Sequence, residues 1–351
     1  MGDIRALERA DLPAVMTLLR ETLPGFPLDR DGLAAVTLDD PWHDEEIPSL
    51  VAIEDGEVAG FIRSQVRPMT FDGNPIRGVC LSDLVVSPEH RRGAAGAMLL
   101  GRLLKGPQEL SWSDSATDFV VRAWRTFGGG VDHVRAADFM IVLRPLRWIG
   151  GIASARVRGR EVGRSLMPVG ALPAHAAGAR ISGHEPPGPA PGFAGEDADA
   201  ATIAAALAAI GKRIRVAVDG DEHQLASTFR RVEALGGTLT TRLVRRGDAP
   251  VGWYAYVRRD GDVSRLLHLA ADERVVGAVF ADLVADAAAA GSAVISGRAE
   301  PHLEQPLRER LAAVGFAWQP VIRARDPELA AALASGSALL TRLDGELSRF
   351  H

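Results

Sequence analysis

The chain has 351 residues, 47% of them hydrophobic and 24% charged, which is a globular composition with length for two ordinary domains. A formal net charge of −5 gives no global pull toward nucleic acid, and no apolar run is long enough to span a membrane. Cys80 is the only cysteine, which excludes an internal disulfide and a cysteine-cluster zinc site.

The opening residues Met1-Gly2-Asp3-Ile4-Arg5 lack the charged-then-apolar pattern of a secretory signal, so the expected location is cytoplasmic. Glu54-Asp55-Gly56-Glu57-Val58-Ala59-Gly60-Phe61 reads as a turn between two strands, the second opening on glycine and an aromatic. Residues 79–104 then combine an apolar strand, a Pro-Glu-His turn, the loop Arg91-Arg92-Gly93-Ala94-Ala95-Gly96 and a helix rich in Leu and Met. A helix start carries free N–H groups and the positive end of the dipole, and small residues let an anion approach them. Such a loop also occurs at helix starts that bind nothing. The spacings of the dinucleotide-binding and phosphate-loop motifs are absent.

A strand is predicted over 108–113. Thr117 is the expected N-cap of a helix over 118–127, which stops at Gly128-Gly129-Gly130. Another strand covers 139–143. Arg147, Arg156, Arg158, Arg160 and Arg164 follow with little acid among them, a solvated face or a contact for an acidic substrate or membrane surface. Residues 184–195 are rich in Pro and Gly and read as a linker. The second half repeats the first: Arg246-Gly247-Asp248-Ala249-Pro250-Val251-Gly252-Trp253 echoes the earlier turn, and Gly315-Phe316 is read as closing a helix as Gly128 does. A strand over 263–269 and a helix from about 275 to 289 are separated by Ala271-Asp272-Glu273-Arg274, acidic where an anion loop wants positive charge. Only Arg274-Val275-Val276-Gly277 echoes the first loop, with Val279 in its last small position.

The stretch Arg91-x-x-Ala94-x-Gly96 resembles the acetyl-CoA signature of the GNAT N-acetyltransferase superfamily, Arg/Gln-x-x-Gly-x-Gly/Ala, with alanine at the first glycine. The order of elements after the loop is also similar. The resemblance implies an α/β protein of two GNAT-like (acyl-CoA N-acyltransferase) domains in tandem, each a mixed twisted sheet flanked by helices. The domains would be 1–146, with the coenzyme A loop, and 197–351, degenerate, joined by a connector over 147–196. It further implies that backbone groups of Leu84, Val85 and Val86 bind the pantetheine arm and thioester of acetyl-CoA. Arg91 and the amides of Arg92, Gly93, Ala94, Ala95, Gly96 and Ala97 would take the pyrophosphate. Thr117 stands where the family has an Asn. Trp124 stands where the family has the tyrosine that protonates the departing thiolate, and Leu311 does so in the second half.

The expected activity is direct acetyl transfer, without a metal, to an amine of a small molecule or peptide, with a hydroxyl as the lesser alternative, and a homodimer is compatible with it. Asp83, a carboxylate in an apolar strand, is the candidate base; the alternative is that it caps a loop or pairs with an arginine. Cys80 is a nucleophile or packing, and Asp114 and Asp118 read as helix-start residues. Trp42-His43-Asp44-Glu45-Glu46 falls in the family's acceptor region. His268 matches Asp83 in the second half and reads as a core histidine. Tyr254 and Tyr256 fit a strand pattern and could act as acids only if the halves bring them to the site. The rival functions are an acyl-CoA sensor or scaffold, which the missing tyrosine favours, and an aminoacyl transferase, which the acidic balance disfavours.

Overall fold

The computed structural model describes residues 3–346 apart from 92, 146, 149–187, 211–213, 260–262, 311 and 317–318. The connector arginines Arg156, Arg158, Arg160 and Arg164, as well as Arg92 and Leu311, lie outside the described residues. No helix among those described is long and apolar enough to cross a membrane.

The first half runs β1 (Asp3–Ala6), α1 (Leu12–Thr22), α2 (Arg30–Ala35), β2 (Leu50–Glu54), β3 (Glu57–Phe71), β4 (Asn74–Val86), α3 (Ala95–Leu104), β5 (Leu110–Ser113), α4 (Asp118–Thr126), β6 (Gly130–Val131) and β7 (Ala137–Val142). The second runs β8 (Phe193–Asp197), α5 (Ala200–Leu207), β9 (Val216–Val218), α6 (Glu222–Ala234), β10 (Thr238–Arg246), β11 (Ala249–Arg259), β12 (Val263–Ala271), α7 (Val276–Ala289), β13 (Val294–Arg298), α8 (Glu304–Glu309), β14 (Ala313–Phe316), β15 (Val321–Ala324), α9 (Pro327–Ala334) and β16 (Ala338–Leu339). These make two separate mixed sheets flanked by helices.

The hairpin glycines sit where the sequence puts them. Asp55-Gly56 and Gly247 turn at positive φ, and the strand after each turn carries a glycine under a helix. A Cβ on Gly60 would meet Leu99 of α3 at 3.1 Å, and one on Gly252 would meet Val279 of α7 at 2.7 Å. Helix over glycine is thus the same device in both sheets. Val279 is the counterpart of Leu99, deep in its helix, and does not occupy the place of Gly96 in the loop. Residues 272–275 join β12 to α7, whereas residues 87–94 join β4 to α3, so the second half has a loop half as long. Gly315-Phe316 closes no helix; it lies in β14.

The sheets do not divide where the halves of the sequence do. The first is ordered β1-β2-β3-β4-β5-β15-β6, with β9 paired to β3 and β16 to β9; the second is β14-β7-β13-β12-β11-β10-β8. Strand β15 of the second half is inserted between β5 and β6, with Val321 opposite both Ser113 and Val131. Strand β7 of the first half is inserted between β13 and β14, with Ile141 opposite Ile295. The exchange reaches the cores: Phe139 and Ile141 pack with Tyr254 and Phe280, and Val321 packs with Trp124 and Leu103.

Buried ion pairs tie the exchanged parts together. Asp114, read from sequence as a helix-start residue, instead meets Arg298 at 2.5 Å, with both side chains only 2% exposed. It also accepts the Glu346 N–H at 2.8 Å. Arg342 pairs with Asp138 at 2.6 Å and Arg231 with Asp40 at 2.9 Å. Arg298 gives a further hydrogen bond to the carbonyl of Leu340. Removing one partner of such a pair strands the other charge away from water. Arg298→Met is expected to lower unfolding free energy by about 3–5 kcal/mol, read from urea denaturation.

Glu300 is buried near this network, 3.8 Å from Arg298, and burial pushes its carboxyl up to about 7. The folded chain therefore holds this proton over a pH range in which the unfolded chain has lost it. The associated stability is present at low pH and is lost as pH rises from the ordinary carboxylate range to about 7. Between acid and neutral pH, wild type should lose on the order of 3 kcal/mol relative to Glu300→Gln, measured as paired denaturation midpoints across pH.

Candidate acyl-donor cleft

Strands β4 and β5 pair in parallel from Gly78 opposite Leu110 to Cys80 opposite Trp112. Beyond that point β4 continues to Val86 while β5 stops at Ser113, so the two strands part. A bulge in β4 accompanies the parting: Phe61 of β3 faces Val85 and Arg63 faces Ser82, so Asp83 and Leu84 together oppose Ile62. Asp83 takes φ +51°, the left-handed region that side chains rarely enter. An extra residue bends a strand and turns its backbone groups away from the ladder. Here Asp83, Leu84, Val85 and Val86 line a cleft of about 430 Å³.

The start of α3 forms the other wall. Ala94 precedes it with no side-chain cap, so the N–H groups of the first turn have neither an intrahelical nor a capping partner. The loop is braced from beneath by Ser87 Oγ and His90 Nδ1 at 2.7 Å and by His90 Nε2 and Glu54 at 3.2 Å. A Cβ on Gly96 would already touch Val86 at 3.3 Å. In α7 the corresponding groups are consumed: the N–H groups of Val275 and Val276 donate to the Asp272 carbonyl and that of Arg274 to its carboxylate.

Of the residues singled out from sequence, Asp83, Leu84, Val85, Val86, Arg91, Gly93, Gly96, Ala97 and Thr117 line the cleft. Ala94 and Ala95 belong to the loop and helix start beside it, and Ala95 is buried in the core beneath. Thr117 caps α4 as expected, its Oγ1 accepting the Val120 N–H. Trp124 also lines the cleft, and none of the lining residues is a tyrosine. Tyr254 and Tyr256 donate to Asp282 and Asp286, both at 2.7 Å, inside the second half.

Asp83 does not stand alone. Its Oδ2 lies 2.6 Å from Arg63 Nε, and both side chains are buried. Arg63 Nε also donates to Ser82 Oγ at 2.9 Å. Glu346 is the charged lining residue that sequence reasoning missed. Its carboxylate accepts from Ser113 Oγ, from the Asp114 N–H at 3.0 Å and from Ser115 Oγ at 2.9 Å. Nothing in its sequence neighbourhood signals a site, because only the folding of the C-terminal segment onto β5 brings it there. Cys80 is fully buried, and burial pushes its thiol up, as suits a packing residue. Asp44 and Glu46 are held by Arg77 at 3.3 and 2.6 Å.

Parted strands beside an uncapped helix start leave backbone groups of β4 and amides of α3 at one cleft, and helix-start amides suit an anion. In sequence, residues 12–113 match the acetyltransferase (GNAT) family, and the chain carries a GNAT domain. No curated protein matches it. Among solved structures, the fold is similar to a GCN5-related N-acetyltransferase from Kribbella flavida (17% identity, TM-score 0.58, covering 95% of this chain and 74% of that one). It is also similar to Eis1 from Mycobacterium abscessus (18%, TM-score 0.55, 95% and 76%). A third likeness is to Saccharomyces cerevisiae N-myristoyltransferase with bound myristoyl-CoA (10%, TM-score 0.54, 92% and 79%). At these identities the likeness is one of fold.

Proposed function

We propose that the chain transfers an acetyl group from coenzyme A to an amine by direct attack, in the cleft beside β4. The observation carrying this reading is that the β4 bulge, the parting of β4 from β5 and the uncapped start of α3 all open on one cleft. The backbone of Leu84, Val85 and Val86 would hold the pantetheine arm. The amides of Ala94 through Ala97, with Arg91, would hold the pyrophosphate, whereas the Gly93 N–H donates to the His90 carbonyl at 2.9 Å and Gly93 contributes only its small size. Bound there, acetyl-CoA would supply an activated acyl carbon. That a structural neighbour carries myristoyl-CoA supports this fold as a holder of acyl-CoA.

Asp83 and Glu346 place two buried carboxylates behind the inner wall, Asp83 paired with Arg63, and the charge of Glu346 favours an acceptor that arrives as an ammonium. Asp83 is the residue proposed to take the proton that the acceptor nitrogen sheds. Arg63, 2.6 Å away, fixes its orientation. With Trp124 in the tyrosine position, the departing thiolate takes its proton from water. The first half does the chemistry, and the second half shapes the acceptor side. The absence of a tyrosine from the lining also favours a second reading, in which the cleft binds an acyl-CoA as a sensor.

Calorimetric titration of acetyl-CoA into wild type is expected to show micromolar binding, abolished in an Arg91→Glu, Gly96→Glu double variant. No binding to the wild type would overturn both readings. Asp83→Asn is expected to lower kcat with an amine acceptor by roughly 10²–10⁴-fold while leaving acetyl-CoA binding unchanged. A loss of only a few-fold would reduce Asp83 to the partner of Arg63.

A further inference from the structure

Trp124 is the tryptophan of the acyl-donor cleft, about two turns along α4 from Thr117 and only 1% exposed. An indole carries a single polar group, the Nε1–H, which donates and cannot accept. A buried indole usually gives that N–H to a partner. Trp124 Nε1 gives it to none among the described residues, and unlike the unpartnered Nε1 atoms of Trp112 and Trp253 it is not sealed from solvent. The little surface that Trp124 keeps therefore includes its N–H, and the cavity it lines is the cleft.

The hydroxyl donors around it are spent. That of Thr22 goes to the Leu18 carbonyl at 2.6 Å, that of Ser82 to Asp83 at 3.5 Å, and those of Ser113 and Ser115 go to Glu346. Arg91 belongs to the loop before α3, and Thr117 to the start of α4. No tyrosine, histidine, cysteine or lysine is among the described lining residues. The wall thus offers a leaving thiolate a hydrogen bond rather than a proton.

Acyl transfer sets its charge free on sulfur. The acceptor nitrogen bonds to the acyl carbon, the carbon–sulfur bond breaks, and its electron pair stays on sulfur. The surplus proton of the nitrogen passes to Asp83 and from there to solvent. The β4 bulge has backbone groups for the acyl oxygen, so the sulfur needs its donor from elsewhere in the wall. We propose that the indole N–H of Trp124 donates a hydrogen bond to the departing sulfur and holds it as a thiolate until water protonates it. The indole keeps its own proton throughout. A donor facing a full negative charge makes one of the stronger hydrogen bonds a protein can form. The inference rests on the acyl-donor reading above and adds a catalytic residue to it.

Calorimetric titration of coenzyme A and of desulfo-coenzyme A, in which hydrogen replaces the thiol, separates the sulfur from the rest of the ligand. A hydrogen bond that favours thiolate over thiol lowers the pKa of the bound thiol, so affinity rises as pH approaches the ordinary thiol value of about 8.5. From roughly pH 7 to roughly pH 9, wild type is expected to gain about tenfold in coenzyme A affinity and nothing for desulfo-coenzyme A. Trp124→Phe keeps an aromatic ring and removes the N–H. It should lose that gain and lower kcat with an amine acceptor about 10–100-fold, while binding acetyl-CoA within about twofold of wild type. If the variant does not fold, the two ligands on wild type still decide. No acetyl-CoA binding by wild type would overturn the acyl-donor reading and this inference together. Acetyl-CoA binding beside a coenzyme A affinity that is flat with pH, or a gain that Trp124→Phe keeps, would overturn this inference alone.

Discussion

The exchange of β7 and β15 between the two sheets is the constraint on which the rest of the molecule depends. Strand β6 reaches the first sheet only through β15, and β14 reaches the second only through β7. Each half therefore lends the strand that the other needs to continue its sheet. The buried Asp114–Arg298 and Asp138–Arg342 pairs stand beside the exchanged strands, where a misplaced strand would leave a charge without its counter-ion. The same docking carries the C-terminal segment onto the end of β5, which is how Glu346 enters a cleft otherwise built from the first half.

Within that frame one local departure from regular strand geometry does much. The bulge at Asp83 and Leu84 holds an aspartate in the left-handed region, and the buried contact with Arg63 over-determines it. The second sheet has its own irregularity between Ala255 and Tyr256, but there the loop to the helix is short and Asp272 occupies the helix N–H groups. His268, two residues before Ala270 as Asp83 is before Val85, turns to Thr341 instead. Two copies of one architecture have diverged by loop length and by which polar groups are left free, while each kept a helix over a glycine.

Much of this was legible in the sequence because it is local. The Asp55-Gly56 turn, the basic small-residue loop before α3, the Thr117 cap and the acidic residues before α7 are each written within a few positions, and each lies where it was expected. The partner of a strand is not local. The β7 run Ala-Asp-Phe-Met-Ile-Val and the β15 run Val-Ile-Arg-Ala carry apolar character suited to a sheet, with no mark of which sheet. The roles of Asp114, Arg298 and Glu346 follow from that pairing and were hidden with it. Gly315 was misread because a glycine after an apolar run signals a helix end and a short strand alike.

The strand exchange also sets a timetable. During synthesis the first sheet has β1 to β6 in hand once Val131 has emerged, yet the strand that joins β6 to β5 comes about 190 residues later. At ribosomal rates of 5–20 residues per second the nascent first half carries an open edge on β5 for roughly 10–40 s. Unpaired edges recruit other strands, and pairings this distant in sequence are slow to form. The chain is thus most exposed to wrong partners before it is finished. Its last quarter closes both sheets, since β14 and β15 together complete the seams that β6 and β7 left waiting.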